Sequence, residues 1–142
     1  MDETGTASIN PADLPLSLSQ REVWLDQCAW PDSTHLNIGG GGYIKGPFDR
    51  AAFIDALNTL VEENEALRLV PDLDGRQRLL PSYQPLLELI DFSSKIQPQE
   101  ALHDWVKESI AQPFILGNAP PWRFALLHFN KELNWLSIQF HH

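Results

Sequence analysis

The sequence ends with Trp135-Leu136-Ser137-Ile138-Gln139-Phe140-His141-His142. Apolar and polar residues alternate along this stretch, and a period of two is typical of a strand with one apolar face. On this register His142 falls on the apolar face and His141 on the polar face. Two adjacent histidines at the end of a buried strand indicate a candidate catalytic site, and the upstream sequence is interpreted around them.

Hydrophobic periodicity upstream predicts helices that alternate with strands. Helices are expected at 18–28, from the N-cap Asp49 onward, and from Pro98 up to Pro113. Strands are expected within 35–45 and at 67–70, 77–80, 86–92, 122–129 and 135–142. The segment 77–80 is expected to pair back on 67–70, and 135–142 on 122–129, as two antiparallel hairpins. This order of elements predicts a mixed α/β fold or an α+β sandwich.

The composition is that of one domain with a sizeable core. Hydrophobic residues make up 43% of the 142 residues, and five of the residues are Trp, which argues against a disordered chain. The formal net charge of −9 argues against a nucleic-acid partner and against docking on an anionic membrane. Residues 1–13 are polar and interrupted by proline, so we expect a flexible leader before a domain at 14–142.

We expect no signal peptide, and the sequence has no apolar run of the ~20 residues needed to cross a bilayer. Its one cysteine, Cys28, cannot form an internal disulfide, which fits a cytoplasmic protein. Five histidines and this cysteine lack the spacing of a zinc site, so no metal is expected.

Four consecutive glycines, Gly39 to Gly42, lie within the predicted strand at 35–45. A phosphate-binding loop would need a following Gly-Lys-Ser/Thr, or GxGxxG spacing at the start of a helix, and neither is present. A strand with a bulge, or with a close approach of another part of the backbone, accounts better for the glycines.

Five stretches carry a resemblance to one enzyme family. They are Leu16-Ser17-Leu18-Ser19-Gln20-Arg21-Glu22-Val23-Trp24, Asn37-Ile38 with Gly46-Pro47-Phe48-Asp49, Glu63-Asn64-Glu65-Ala66-Leu67-Arg68, Gln112-Pro113-Phe114-Ile115-Leu116 with Pro121-Trp122-Arg123, and Phe140-His141-His142. In this order they resemble the motifs S-x-A-Q-x-R-x-W, the first strand and helix, R-H-E-x-L-R, P-F-D-L…P-L-x-R and the start of H-H-x-x-x-D-G in condensation domains of nonribosomal peptide synthetases. Ser19, Glu63, Asn64 and Ile115 depart from the usual residues.

The resemblance implies a chloramphenicol acetyltransferase-like fold, of which residues 14–142 would form the N-terminal lobe, a mixed sheet with flanking helices, without the second lobe. In the family the site lies in a tunnel between two lobes. The full-length enzyme would join an acyl or peptidyl thioester to the α-amine of an aminoacyl thioester. Both substrates would arrive on the 4′-phosphopantetheine arms of carrier-protein domains, with no cofactor bound directly. The 142 residues alone would be catalytically inactive.

The resemblance also implies roles for individual residues. His142 aligns with the active-site histidine and His141 with its structural neighbour. A neutral imidazole in an apolar wall can accept a proton, so His142 is expected to orient the amine and remove a proton from it. Arg68 is the candidate partner of the aspartate in the motif, since Arg–carboxylate pairs fix geometry, or else it is a surface charge. Gln20 and Arg21 are expected either to brace the first helix against the strand of the histidines or to be solvated.

Other functions remain compatible with these residues. An epimerisation domain shares the histidine pair, whereas a heterocyclisation motif begins with Asp. A non-catalytic module that docks a carrier protein is a further alternative, although two acidic partners repel each other. The expected partners are carrier-protein domains, the C-terminal lobe of the same domain and an adjacent adenylation domain. Apolar surface meant for the second lobe would favour self-association of the chain.

Overall fold

The structure, a computed structural model, describes residues 13–142, so the expected leader at 1–13 lies outside it except for Asp13. The helices are α1 (Leu18–Ala29), α2 (Arg50–Glu63) and α3 (Pro98–Ile110), with a 3-10 turn at Glu65–Arg68. The strands are β1 (Asp13–Pro15), β2 (Asn37–Lys45), β3 (Leu69–Pro71), β4 (Arg76–Leu79), β5 (Leu87–Asp91), β6 (Trp122–Asn130) and β7 (Leu133–His141). Asp13 is the first residue of β1 and pairs with Arg78.

A four-stranded mixed sheet with the order β2-β7-β6-β5 forms the centre of the fold. The pairs β2–β7 and β6–β7 are antiparallel, whereas β5 and β6 are parallel, and α3 lies in the connection between them. A smaller antiparallel sheet has the order β1-β4-β3. Both predicted hairpins and the mixed α/β architecture are confirmed.

The central sheet is covered on both faces. On one face α3 packs Leu102 into a cluster with Phe92 and Leu127, and on the other α2 packs Leu57 and Val61 against the start of β6. This two-sided burial explains why the sequence of β6 is almost continuously apolar.

The helix starts follow the sequence signals. The Ser17 hydroxyl accepts from the Gln20 backbone N–H while the Gln20 side chain accepts from the Ser17 N–H, which is a capping box. Asp49 caps α2 through the Ala52 N–H at 3.0 Å, and Pro98 begins α3. Within residues 13–142, no helix is both long enough and apolar enough to span a membrane.

The strand predicted at 67–70 begins late. Leu67 donates its N–H to the Asn64 carbonyl at 3.0 Å, so Leu67 and Arg68 close the 3-10 turn and β3 starts only at Leu69. The turn is stabilised by the Arg68 guanidinium, which bonds to backbone carbonyls on both sides of it. Hydrophobic periodicity does not predict hydrogen bonds of this kind between a side chain and the backbone.

The burial of the two faces of β7 is also the reverse of the prediction, because the polar face is the more deeply buried one. Ser137 and Gln139 are 4% and 3% exposed, whereas Leu136, Ile138 and Phe140 are only partly buried. The polar face lies under α3, where Gln139 Nε2 donates to the Ser109 hydroxyl at 2.6 Å. The apolar face lies on the side of α2, which packs mainly over β6 and leaves part of β7 open.

The four glycines form the middle of β2, which pairs with β7 without a break in register. The structure therefore has no bulge there, and the alternative of a close approach is confirmed at Gly41, which contacts Trp135. Gly40 and Gly42 lie on the opposite face, where a Cβ would meet nothing within 4 Å. With Ile38, Ile44, Leu136, Ile138 and Phe140 they line an open apolar groove of about 570 Å³, which we call the glycine groove.

Candidate active site

A cavity of about 280 Å³ lies between α1, the small sheet and the end of β7. Its lining includes Gln20, Trp24, Gln77, Leu116, His141 and His142. The structure thus brings Gln20 and both histidines to one cavity, whereas Arg21 and Arg68 do not line it. The indole Nε1 of Trp24 donates to the Asp72 carbonyl at 2.7 Å and ties α1 to the small sheet.

The backbone of the histidine pair is held from two sides. The His141 N–H donates to the Pro121 carbonyl at 2.9 Å, and the His142 N–H donates to the Leu36 carbonyl at 2.9 Å. Pro121 directly precedes β6 and Leu36 directly precedes β2. The position of the pair is therefore set by both strands that flank β7.

The His141 imidazole is half-buried and has a specific partner. Its Nε2 lies 2.8 Å from Gln27 Oε1, and its ring meets the Phe114 ring edge to face with centroids 6.2 Å apart. Burial lowers the pKa of His141 below its usual 6.5, and electrostatic interactions with His142 and His35 act in the same direction. A backbone hydrogen bond to His142 and the charge of Asp26 oppose the shift.

The His142 side chain is exposed, which differs from the expected placement in an apolar wall. It directly follows His141, the last residue of β7. The burial expected for His142 is found at His141 instead, under the end of α1.

The brace between α1 and β7 is made by a residue that the sequence analysis did not select. Gln20 exchanges hydrogen bonds with Gln77 of β4, at 3.3 and 3.5 Å, rather than with β7. Arg21 is exposed, and its backbone N–H extends α1 by bonding to the Ser17 carbonyl. Gln27 bonds to His141. Its position seven residues after Gln20, and so on the same helix face, was the available signal.

The Arg68 guanidinium donates hydrogen bonds to several backbone carbonyls. It donates to the carbonyls of Val61 at 3.2 Å, Leu80 at 2.6 Å, Pro81 at 3.1 Å and Glu62 at 3.4 Å. These contacts join the end of α2 to the segment after β4. They occupy several donors of the guanidinium and give Arg68 a structural role, while its pairing with an aspartate stays a prediction.

The Phe114 ring contacts both the His141 imidazole and the Arg123 guanidinium. The Arg123 guanidinium carbon lies 4.1 Å from the centroid of the Phe114 ring, and Arg123 also donates to the Gln112 carbonyl at 2.5 Å. Burial lowers the pKa of Arg123, and the charge of Glu88 opposes this shift. The segment that resembled P-F-D-L…P-L-x-R therefore packs against His141.

A second polar cluster lies in the loop between α1 and β2. Ser33 Oγ bonds to His35 Nδ1, and His35 Nε2 lies 2.7 Å from Asp26 Oδ2. The side chains of His35 and Asp26 are 54% and 42% exposed, so this chain of polar contacts is open to water and serves to hold the loop. Across residues 13–142, no group of three or more His, Cys, Asp or Glu side chains is placed to hold a metal ion.

Comparisons with known proteins identify the family. The family described as "Condensation domain" matches residues 10–142. The dimodular nonribosomal peptide synthase of Bacillus subtilis (strain 168) is 32% identical over 135 residues, which are 92% of this chain and 6% of that protein. Nonribosomal peptide synthetase kk1B of Curvularia clavata is 34% identical over 137 residues, which are 89% of this chain and 1% of that protein.

Solved structures agree with the sequence relatives. The starter condensation domain of rhizomide synthetase RzmA has a TM-score of 0.82 and 31% identity, covering 92% of this chain and 34% of that chain. The first condensation domain of the calcium-dependent antibiotic synthetase has a TM-score of 0.77 and 28% identity, covering 92% of this chain and 32% of that chain. The 142 residues therefore span about a third of these solved chains and a small part of the synthetases. Their fold is that of the chloramphenicol acetyltransferase-like condensation domains, and the chain belongs to the condensation-domain family.

Proposed function

We propose that these residues are the N-terminal lobe of a condensation domain whose natural polypeptide joins an acyl or peptidyl thioester to the amine of an aminoacyl thioester. The observation that supports this most is the histidine pair at the end of β7, which is held by Pro121 and Leu36 and lines a cavity. It lies in a chain that matches the family over 10–142.

The reaction forms one C–N bond and breaks one C–S bond. The amine nitrogen attacks the thioester carbonyl carbon and gives up a proton as the tetrahedral adduct forms, and the adduct then expels the sulfur as a thiolate, which takes up that proton. An α-amine has a pKa near ~8, so roughly a tenth is already neutral at pH 7 and prior deprotonation costs only about 1 kcal/mol. His142 therefore acts mainly by orienting the amine and accepting its proton as the adduct forms. Such general-base help contributes ~10²–10⁴ in rate.

The substrates in this proposal are carried on 4′-phosphopantetheine arms of carrier-protein domains, and the lobe itself binds no cofactor. A variant of the RzmA starter condensation domain has been solved in complex with C8-CoA and Leu-SNAC. The second lobe and a neighbouring adenylation domain are the further partners. Because the chain spans about a third of the solved chains, the 142 residues by themselves are inactive in this proposal.

The test uses the natural polypeptide that carries this chain, with an acyl donor and an aminoacyl acceptor loaded on carrier domains. The unaltered polypeptide forms an amide that mass spectrometry detects, and His142→Ala lowers the rate by ~10²–10⁴. Thr59→Ala, which removes an exposed bond to the Asp55 carbonyl on α2, is the control and leaves the rate unchanged. An unchanged rate in His142→Ala overturns the role of His142. Inversion at the α-carbon without amide formation would assign an epimerisation domain instead.

A further inference from the structure

Gln27 is a buried amide with partners on both of its ends. It lies near the C-terminal end of α1, and only 2% of its surface is exposed. Its Nε2 is 2.9 Å from the Pro31 carbonyl and 3.4 Å from those of Trp30 and Ser33. Its Oε1 is 2.8 Å from His141 Nε2. The side chain therefore joins the turn after α1 to the end of β7.

The three carbonyls determine the orientation of the amide. In the reverse orientation Oε1 would face three oxygens that can only accept hydrogen bonds, and these contacts would contain no hydrogen. The nitrogen of Gln27 therefore faces the carbonyls and its oxygen faces His141. Because an amide oxygen only accepts, the hydrogen between the two side chains belongs to Nε2 of His141.

The surroundings of His141 leave that hydrogen as the only one on the two ring nitrogens. Burial lowers the pKa of His141, so the ring is neutral at neutral pH. A neutral imidazole carries one N–H, which places a free lone pair on Nδ1. The Phe114 ring and the bond from the His141 N–H to Pro121 hold the residue in this orientation.

We propose that Gln27 is a positioning residue that holds His141 as the Nε2–H tautomer and thereby fixes the end of β7 from which His142 projects. The tautomer itself depends only on contacts within these 142 residues. The consequence for catalysis rests on the proposed function, because it acts through His142. Gln27 touches no substrate in this arrangement.

The first measurement is the ¹⁵N spectrum of the histidine-labelled 142-residue protein at neutral pH, with His141 assigned by the loss of its signals in His141→Gln. We expect Nε2 at the shift of a protonated ring nitrogen and Nδ1 at that of an unprotonated one. The reverse pattern, or an averaged mixture of the two tautomers, overturns the proposal. This measurement is made with Gln27 unaltered.

A pair of variants then tests the cause. Gln27→Leu has a similar size but no acceptor, and we expect His141 to become a mixture of tautomers. Gln99→Leu is the matched control, because it removes a glutamine bond of 2.8 Å to the Tyr43 hydroxyl and leaves the His141 signals unchanged. A pure Nε2–H tautomer in folded Gln27→Leu would show that Gln27 does not set it.

The catalytic consequence is measured in the natural polypeptide. Gln27→Leu should lower kcat roughly tenfold or more with a smaller change in KM, since misplacement of a catalytic group costs rate rather than binding. If the tautomer is as proposed but the unaltered polypeptide forms no amide, the proposed function fails and the assignment of Gln27 stands. If the amide forms but the tautomer is reversed, only the role of Gln27 fails.

Discussion

The Trp135 indole lies directly against the backbone of Gly41. A Cβ on Gly41 would stand 2.6 Å from the indole ring and 2.6 Å from the Leu136 carbonyl oxygen. Carbon atoms in ordinary contact are ~3.5–4.0 Å apart, so no side chain fits between the two strands here. The Tyr43 ring meets the same indole edge to face, with centroids 4.9 Å apart. Gly41 is therefore required by packing.

Substitution of this glycine should destabilise the fold. We expect Gly41→Ala to lower the free energy of unfolding in urea by about 1–3 kcal/mol, because the added methyl group overpacks the sheet. Gly40→Ala is the control, since a Cβ there meets nothing within 4 Å. Relief of glycine's entropy cost should make this second variant neutral or more stable by roughly 0.5–1 kcal/mol. Equal losses in both variants would contradict the packing argument.

Arg68 should stabilise the fold through the hydrogen bonds that its guanidinium donates to backbone carbonyls. Arg68→Lys keeps the charge but cannot reach the carbonyls of Val61 and Leu80 together. We expect a loss of about 1–3 kcal/mol in the free energy of unfolding, while Arg50→Lys at the exposed start of α2 has little effect. If Arg68→Lys leaves stability intact and instead abolishes activity of the natural polypeptide, the result supports the pairing with an aspartate implied by the resemblance.

The lowered pKa of His141 predicts a loss of stability in acid. The unfolded chain, with a histidine pKa near 6.5, takes up a proton at a higher pH than the folded chain. The contribution is therefore complete above pH 6.5 and is lost as the pH falls from 6.5 toward the lowered pKa. His142 directly after β7, Asp26 on α1 and His35 in the following loop are the ionisable groups that act on His141.

Urea unfolding above and below pH 6.5 measures this dependence. His141→Gln keeps a donor toward Gln27 but does not titrate, so its stability should fall less steeply with acid. Identical pH dependence in the two proteins would show that His141 does not carry the effect.

The glycine groove should drive self-association of the 142-residue chain. Its lining is apolar, and Ile38 on the edge strand β2 is 51% exposed. We expect Ile38→Lys to shift the sedimentation profile toward monomer, because a buried charge in the interface is costly. Ile96→Lys removes an isoleucine that is 99% exposed and lies outside the groove, and it should leave the profile unchanged. A chain that sediments as a monomer without substitution would contradict this prediction.

The sequence predicted those elements whose signals are local. The start of α2 at Asp49 and its buried residues Leu57 and Val61 follow from capping and a period of 3.6 residues. The hairpin of β6 and β7 follows from two apolar runs around the turn at Asn130. Such features depend only on residues close together in the chain.

The remainder depends on what packs against each element. The burial of Gln139 on β7 is decided by Ser109 of α3, thirty residues earlier in the chain. The partner of His141 is Gln27, whose position on the helix face of Gln20 was a signal in the sequence, but no local pattern pairs it with His141. A single sequence therefore does not show which polar side chains pair over a long range.

The pairing of β2 with β7 has a consequence for synthesis of the protein. Asn37 pairs with His141, so β2 is separated in sequence from its partner by α2, α3 and the strands β3 to β6. During translation β2 leaves the ribosome long before β7, its neighbour in the central sheet, exists. A strand that waits unpaired is an aggregation hazard when it is rich in β-branched residues, and glycine lowers that tendency. The run Gly39 to Gly42 therefore lowers the tendency of unpaired β2 to aggregate before β7 is made.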